Sequence, residues 1–124
     1  MDFLLYLAAF LLVLVSIAHS YLGERFLLSK LFEQRHWPKV LGSDGFAKRT
    51  LRFAWHLTSV TCLGFAAILV VLTQPQVSKL LISQIIATTF AFHFVISLLA
   101  SRGKHLSWIL FGTVTFLVVL NTYL

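Results

Sequence analysis

Four long stretches of this chain carry no charged side chain: Phe3 to Gly23, Phe53 to Ser78, Leu80 to Ser101 and Leu106 to Leu124. A helix rises about 1.5 Å per residue, so each stretch is long enough to cross a hydrocarbon core of about 30 Å. Inside such a core every backbone N–H and C=O must be satisfied within the protein, which leaves only helices or a closed barrel. None of the stretches alternates apolar and polar residues as a barrel strand does, and four strands cannot close a barrel. The expected fold class is therefore all-α: a polytopic membrane protein built as an antiparallel four-helix transmembrane bundle. Composition agrees, because only 11% of the 124 residues are charged, against about 25% in soluble domains.

The whole chain, residues 1–124, reads as a single transmembrane domain. Its spans fall at about 3–23, 52–73, 79–101 and 106–124, with a loop at 24–50 that includes an interfacial segment. Asp2 stands where a secretory leader carries positive charge, and the first apolar run exceeds a leader's hydrophobic region, so it reads as a span. The lone cysteine, Cys62, lies within the second span and has no intramolecular disulfide partner. It reads as a small packing residue.

Seven of the ten basic residues lie between the first two spans (Arg25, Lys30, Arg35, Lys39, Lys48, Arg49 and Arg52), two lie between the last two (Arg102 and Lys104), and Lys79 alone occupies the opposite side. Basic residues near span ends stay in the cytoplasm, so both basic loops are expected inside and both termini outside. The net charge of +6 then marks a rim facing anionic lipid headgroups, and nucleic acid is not needed to explain it. Trp37 and Pro38 suit an interfacial segment in which Pro38 ends an amphipathic continuation through Phe26 and Phe32. Ser43 and Asp44 are placed to cap the second long helix. The short connections at Thr73 to Ser78 and Ser101 to Lys104 make neighbouring spans antiparallel.

Five histidines in so apolar a chain demand an explanation, since ionisable groups at membrane depth tend to face the bundle interior. Counted from Arg25, Arg52 and Arg102, His19, His56 and His93 lie roughly 9, 6 and 13 Å inside the basic rim. His105 lies at the rim. All four belong to the same half of the bundle, one per helix, and each continues a polar stripe at helical spacing. His36 falls outside the spans and reads as a solvated interfacial residue.

Imidazole binds Fe, Cu or Zn and tolerates burial when neutral, so histidines on facing helices suit a metal or haem site. The expected ligands are His19, His56, His93 and His105. Phe53, Trp55, Phe90, Phe92, Phe94 and Trp108 are candidate walls of a haem slot, and Arg52 and Arg102 candidate partners for propionates. Glu24 is placed either to orient a histidine or to pair with Arg49 or Arg52. Such a site implies electron transfer, metal handling or sensing. Two readings compete with it: an accessory or structural subunit without enzymatic activity, whose histidines hold helices together, and a small proton- or ion-coupled transporter. Assembly as a homo-oligomer or within a larger membrane complex is compatible with all three.

The segments His19 to Arg25 (HSYLGER), Arg52 to His56 (RFAWH) and Ser101 to His105 (SRGKH) resemble a group of small four-span bacterial inner-membrane proteins. The resemblance implies a bacterial plasma-membrane setting and brings no activity with it. Small multidrug transporters carry a central glutamate in their first span, which this chain lacks. Four-span glutathione-dependent enzymes carry an Arg/Asn/Glu pattern in their second helix that Arg52 to Thr61 does not reproduce.

Overall fold

The structure is a computed structural model that describes residues 2–124. Its secondary structure is helical, without a strand among the described residues, and consists of α1 (Asp2–Phe32), α2 (Gly45–Val71), α3 (Lys79–Ala100) and α4 (Ser107–Tyr123). Three of them, α1 to α3, are long and apolar enough to cross a membrane. At 17 residues, α4 is shorter, about 26 Å end to end, and lies along α3. Large apolar side chains are exposed on every helix, among them Phe10, Phe65, Phe92 and Phe116, as befits a surface solvated by lipid.

The first span runs on through Phe26 to Phe32 as the expected helical continuation, but it does so through a π-helical turn at Gly23–Leu28, which regular helical spacing does not anticipate, before a last α turn at Ser29–Phe32. The residues there are good helix formers, and the first proline comes only at Pro38. Trp37 closes the end: its indole donates to the Leu31 carbonyl at 3.2 Å and packs on Phe32.

Capping of α2 also differs from the sequence expectation. Asp44 makes no capping hydrogen bond; its carboxylate instead accepts from Lys48, one turn on, at 2.9 Å. Asp44 has helical backbone angles (φ −78°, ψ −11°), where a capping residue is normally extended. The Lys48 ammonium holds the Asp44 carboxyl below its ordinary value of 3.8. The pair therefore stabilises the fold above that value and loses its contribution as pH falls through the lowered one. Asp44 should titrate below 3.8 by carboxylate NMR, and Lys48→Ala should return it toward the ordinary value.

At the other end, Ser78 caps α3 as a serine should, in an extended conformation with Oγ accepting from the Leu81 N–H. The turn into α4 is a Schellman motif: the Gly103 N–H donates to the Leu98 carbonyl and the Arg102 N–H to the Leu99 carbonyl. Arg102 occupies the left-handed position, with φ of 54°. A side chain there costs about 1 kcal/mol relative to glycine. Arg102→Gly is therefore expected to raise stability by about 1 kcal/mol, measured by unfolding in mixed micelles.

The helices pack in chain order. Helix α1 lies against α2, α2 against α3 and α3 against α4, while α1 makes no comparable packing with α3 or α4. The four-helix bundle is thus an open row with three separate seams, and its apolar core is sparse: Ala9, Leu28, Phe53, Leu57, Ala66, Val71 and Ala87. That arrangement governs where the histidines can meet.

Candidate functional site: a polar seam between the first two helices

The α1–α2 seam begins with a reciprocal clamp. His19 Nε2 donates to the Trp55 carbonyl at 3.2 Å, and Trp55 Nε1 donates to the His19 carbonyl at 2.9 Å. The two rings stack face to face, 4.3 Å apart and 5° from parallel. The approach requires a glycine opposite the indole: a Cβ on Gly23 would lie 2.1 Å from Trp55 Nε1.

One residue on, the π turn swings Glu24 toward α2. Its carboxylate accepts from Arg52 Nη2 at 2.9 Å and from His56 Nε2 at 3.0 Å. The other imidazole nitrogen, Nδ1, is 2.9 Å from Ser20 Oγ. Ser20 Oγ in turn lies 2.7 Å from Ser59 Oγ, and the buried Ser16 hydroxyl reaches the Ser59 carbonyl at 3.2 Å. A thread of hydrogen bonds therefore runs from Arg52, half exposed at the basic rim, to the interior of the seam. π-Helical turns are rare and are found frequently at functional sites; here the turn presents the one carboxylate of the thread.

The chemistry follows from counting protons. With Glu24 ionised, its charge is matched by Arg52, and His56 donates from Nε2. Neutral His56 then accepts at Nδ1 from Ser20. A second proton on His56 makes both nitrogens donors, so Ser20 must accept and turn its own proton toward Ser59. The seam can thus take up one proton by reorienting two hydroxyls.

The remaining two histidines lie elsewhere. His93 is buried in the α2–α3 seam, where Nδ1 donates to the Thr89 carbonyl at 2.8 Å and Nε2 lies 2.9 Å from Thr61 Oγ1. Phe90 and Phe111 flank its ring. His105 serves the turn before α4: Nδ1 accepts from the Ser107 N–H, and the ring stacks on Phe46 and meets the edge of Phe53. Trp108 anchors the same turn, donating to the Gly103 carbonyl at 3.1 Å. Arg102 is exposed there.

His19, His56, His93 and His105 therefore occupy three places rather than one. Among the described residues no three His, Cys, Asp or Glu side chains come close enough together to hold a metal ion. The reason is the open row: four ligands from four helices need a common axis, which three successive seams do not provide. The aromatic residues expected to wall a haem slot are divided in the same way, with Phe92 exposed and Trp55 committed to His19. The four histidines therefore do not meet as one four-ligand metal site.

Sequence reasoning passed over Thr61 and Gly64. Thr61 was accessible through the short α2–α3 turn: Thr61 and His93 lie sixteen residues on either side of Val77, so antiparallel helices set them opposite each other. The π turn leaves no comparable mark in the sequence.

Fold and seam together define a small all-helical protein of the polytopic membrane class, with a charged hydrogen-bond thread entering one end. Compared with known proteins, the chain matches no family model, no curated protein and no solved structure.

Proposed function

We propose that this chain is a bacterial plasma-membrane protein, with both termini outside the cytoplasm, whose first two helices form a proton-responsive joint at the cytoplasmic face. The observation that carries the proposal is the Glu24 carboxylate on a π turn of α1, shared between His56 and Arg52 of α2 and continuous with Ser20 and Ser59. The orientation rests on the basic residues, nine of which cluster at the end of the bundle expected inside while Lys79 stands opposite.

In this reading the protein is a non-enzymatic subunit whose histidine gains or loses a proton and thereby alters how α1 holds α2. Histidine is the side chain suited to that task, since its charge changes between about pH 5 and pH 8. The charged and titratable groups around His56 are Glu24 and His19 on α1 and Arg49 and Arg52 on α2. His93 of α3 and His105 of the following turn belong to the neighbouring seams. Among the described residues the thread of side-chain hydrogen bonds between α1 and α2 ends at Ser16, which supports a local joint at the basic end.

The test is an infrared difference spectrum of the reconstituted protein between pH 5 and pH 8 (about the histidine range), recorded with Trp55 fluorescence. The imidazole component that belongs to His56 should be lost in His56→Gln while that of the exposed His36 persists, the Glu24 component of the carboxylate bands should be lost in Glu24→Gln, and either variant should remove the fluorescence change. Identical spectra for wild type and both variants would refute the proposal. A Soret band, or stoichiometric Fe, Cu or Zn in the purified protein, would refute it in favour of a bound cofactor.

A further inference from the structure

Most threonines within the spans satisfy their hydroxyl on their own helix. Thr58, Thr61, Thr89, Thr113 and Thr115 each donate to the carbonyl four residues earlier. Thr88 does not, and neither does Gln84 one turn before it find a partner among the described residues. Both are exposed on the same face of α3, Gln84 about 7–8 Å into the span from Lys79. An amide and a hydroxyl turned unpaired toward hydrocarbon are costly, and glutamine at such a position typically hydrogen-bonds across to another helix.

Beside them lies a groove of about 420 Å³ between α2 and α3. Val60, Leu63 and Ala67 line one wall and Gln84, Thr88 and Phe92 the other. On each helix the lining residues recur at three- and four-residue intervals, so the walls are continuous helical faces. We infer that this face is a self-association surface occupied by the same face of a second copy of this chain.

A second copy is favoured over other occupants by the chemistry of the two polar groups. An amide offers a donor and an acceptor, and a hydroxyl does the same, so each satisfies its own image across a twofold axis, as an isologous interface requires. Charge permits the pairing. The groove opens in the half of the bundle whose end carries Lys79 alone, away from the nine basic residues at the other end, so two copies can meet without pressing their basic rims together.

Two measurements on the full chain in phosphatidylcholine vesicles test this. In a Cys62→Ser background, oxidation should cross-link Ala67→Cys, on the wall of the groove, into dimers but leave Thr113→Cys, on the far helix, monomeric. Energy transfer between labelled copies, followed as lipid is added, should show the Gln84→Leu/Thr88→Val double variant associating about tenfold more weakly than wild type. Thr113→Val, whose hydroxyl serves its own helix, should associate as wild type does. Both sets of substitutions suit a lipid-facing helix, so the fold should survive, as circular dichroism would verify. A groove filled only by lipid acyl chains would appear as a monomer at every dilution and would overturn the inference. So would undiminished association of the double variant, or equal cross-linking at both cysteine positions.

Discussion

Gly23→Ala is expected to destabilise the protein by about 3 kcal/mol, the largest effect among its glycines, since the added Cβ makes the closest approach there. The added Cβ would lie 2.1, 2.5 and 2.8 Å from Nε1, Cε2 and Cζ2 of Trp55, well inside contact distance, so one partner must move. Trp55 is poorly placed to do so: its N–H is bonded to the His19 carbonyl and its ring is stacked on the His19 imidazole. Overpacking of this kind costs about 1–3 kcal/mol, and loss of the indole hydrogen bond adds about 1 kcal/mol. Unfolding in mixed micelles would measure the loss, and tryptophan fluorescence would report displacement of the indole. Trp55→Phe should relieve much of the strain, so the double variant should be more stable than the sum of the single effects implies. Additive effects would show that Trp55 is not the obstacle.

Gly64→Ala should cost about 2 kcal/mol through the neighbouring seam. Here the new Cβ would lie 2.5 Å from Thr89 Oγ1 and 2.9 Å from Thr89 Cγ2. Thr89 is β-branched and its hydroxyl is bonded to the Ile85 carbonyl at 2.8 Å, so rotation about χ1 is restricted and α2 and α3 must separate instead. Separation also strains the Thr61–His93 contact one turn away. Because the obstacle is one side chain, Thr89→Ala should restore stability in the Gly64→Ala background. The same micelle unfolding assay checks this, and a double variant as unstable as Gly64→Ala alone would place the close approach elsewhere.

The two glycines differ in how visible they were beforehand. Gly23 stands at helical spacing with Ser16, His19 and Ser20, and a small residue among polar ones marks a point of helix approach. Gly64 stands in an apolar stretch, and its importance appears only once Thr89 is seen opposite it. The histidines teach a related lesson. One histidine per helix, at similar depth in the same half of the bundle, suggested a common site, but depth fixes only position along the helix axis. Position around the axis, and the order in which helices lie side by side, decide which residues touch. In an open row His19 and His56 share a seam with Glu24, whereas His93 and His105 are taken up by Thr61 and Ser107.

What the amino-acid sequence determined alone is the set of properties that depend on the solvent and on local chemistry. Uncharged stretches of span length admit only helices, because hydrocarbon cannot satisfy a free backbone, and connections too short for anything but a turn make α2, α3 and α4 successive antiparallel neighbours. The clustering of Arg and Lys divides the molecule into a basic end and a nearly uncharged one. The tertiary structure alone decided the register between α1 and α2, because the long connection from Phe32 to Gly45 leaves their relative shift free. That register is settled by the indole of Trp55 seating over Gly23, and the π turn that follows turns Glu24 toward Arg52 and His56. The joint at the basic face is a property of the packed pair, since neither helix carries all of its members.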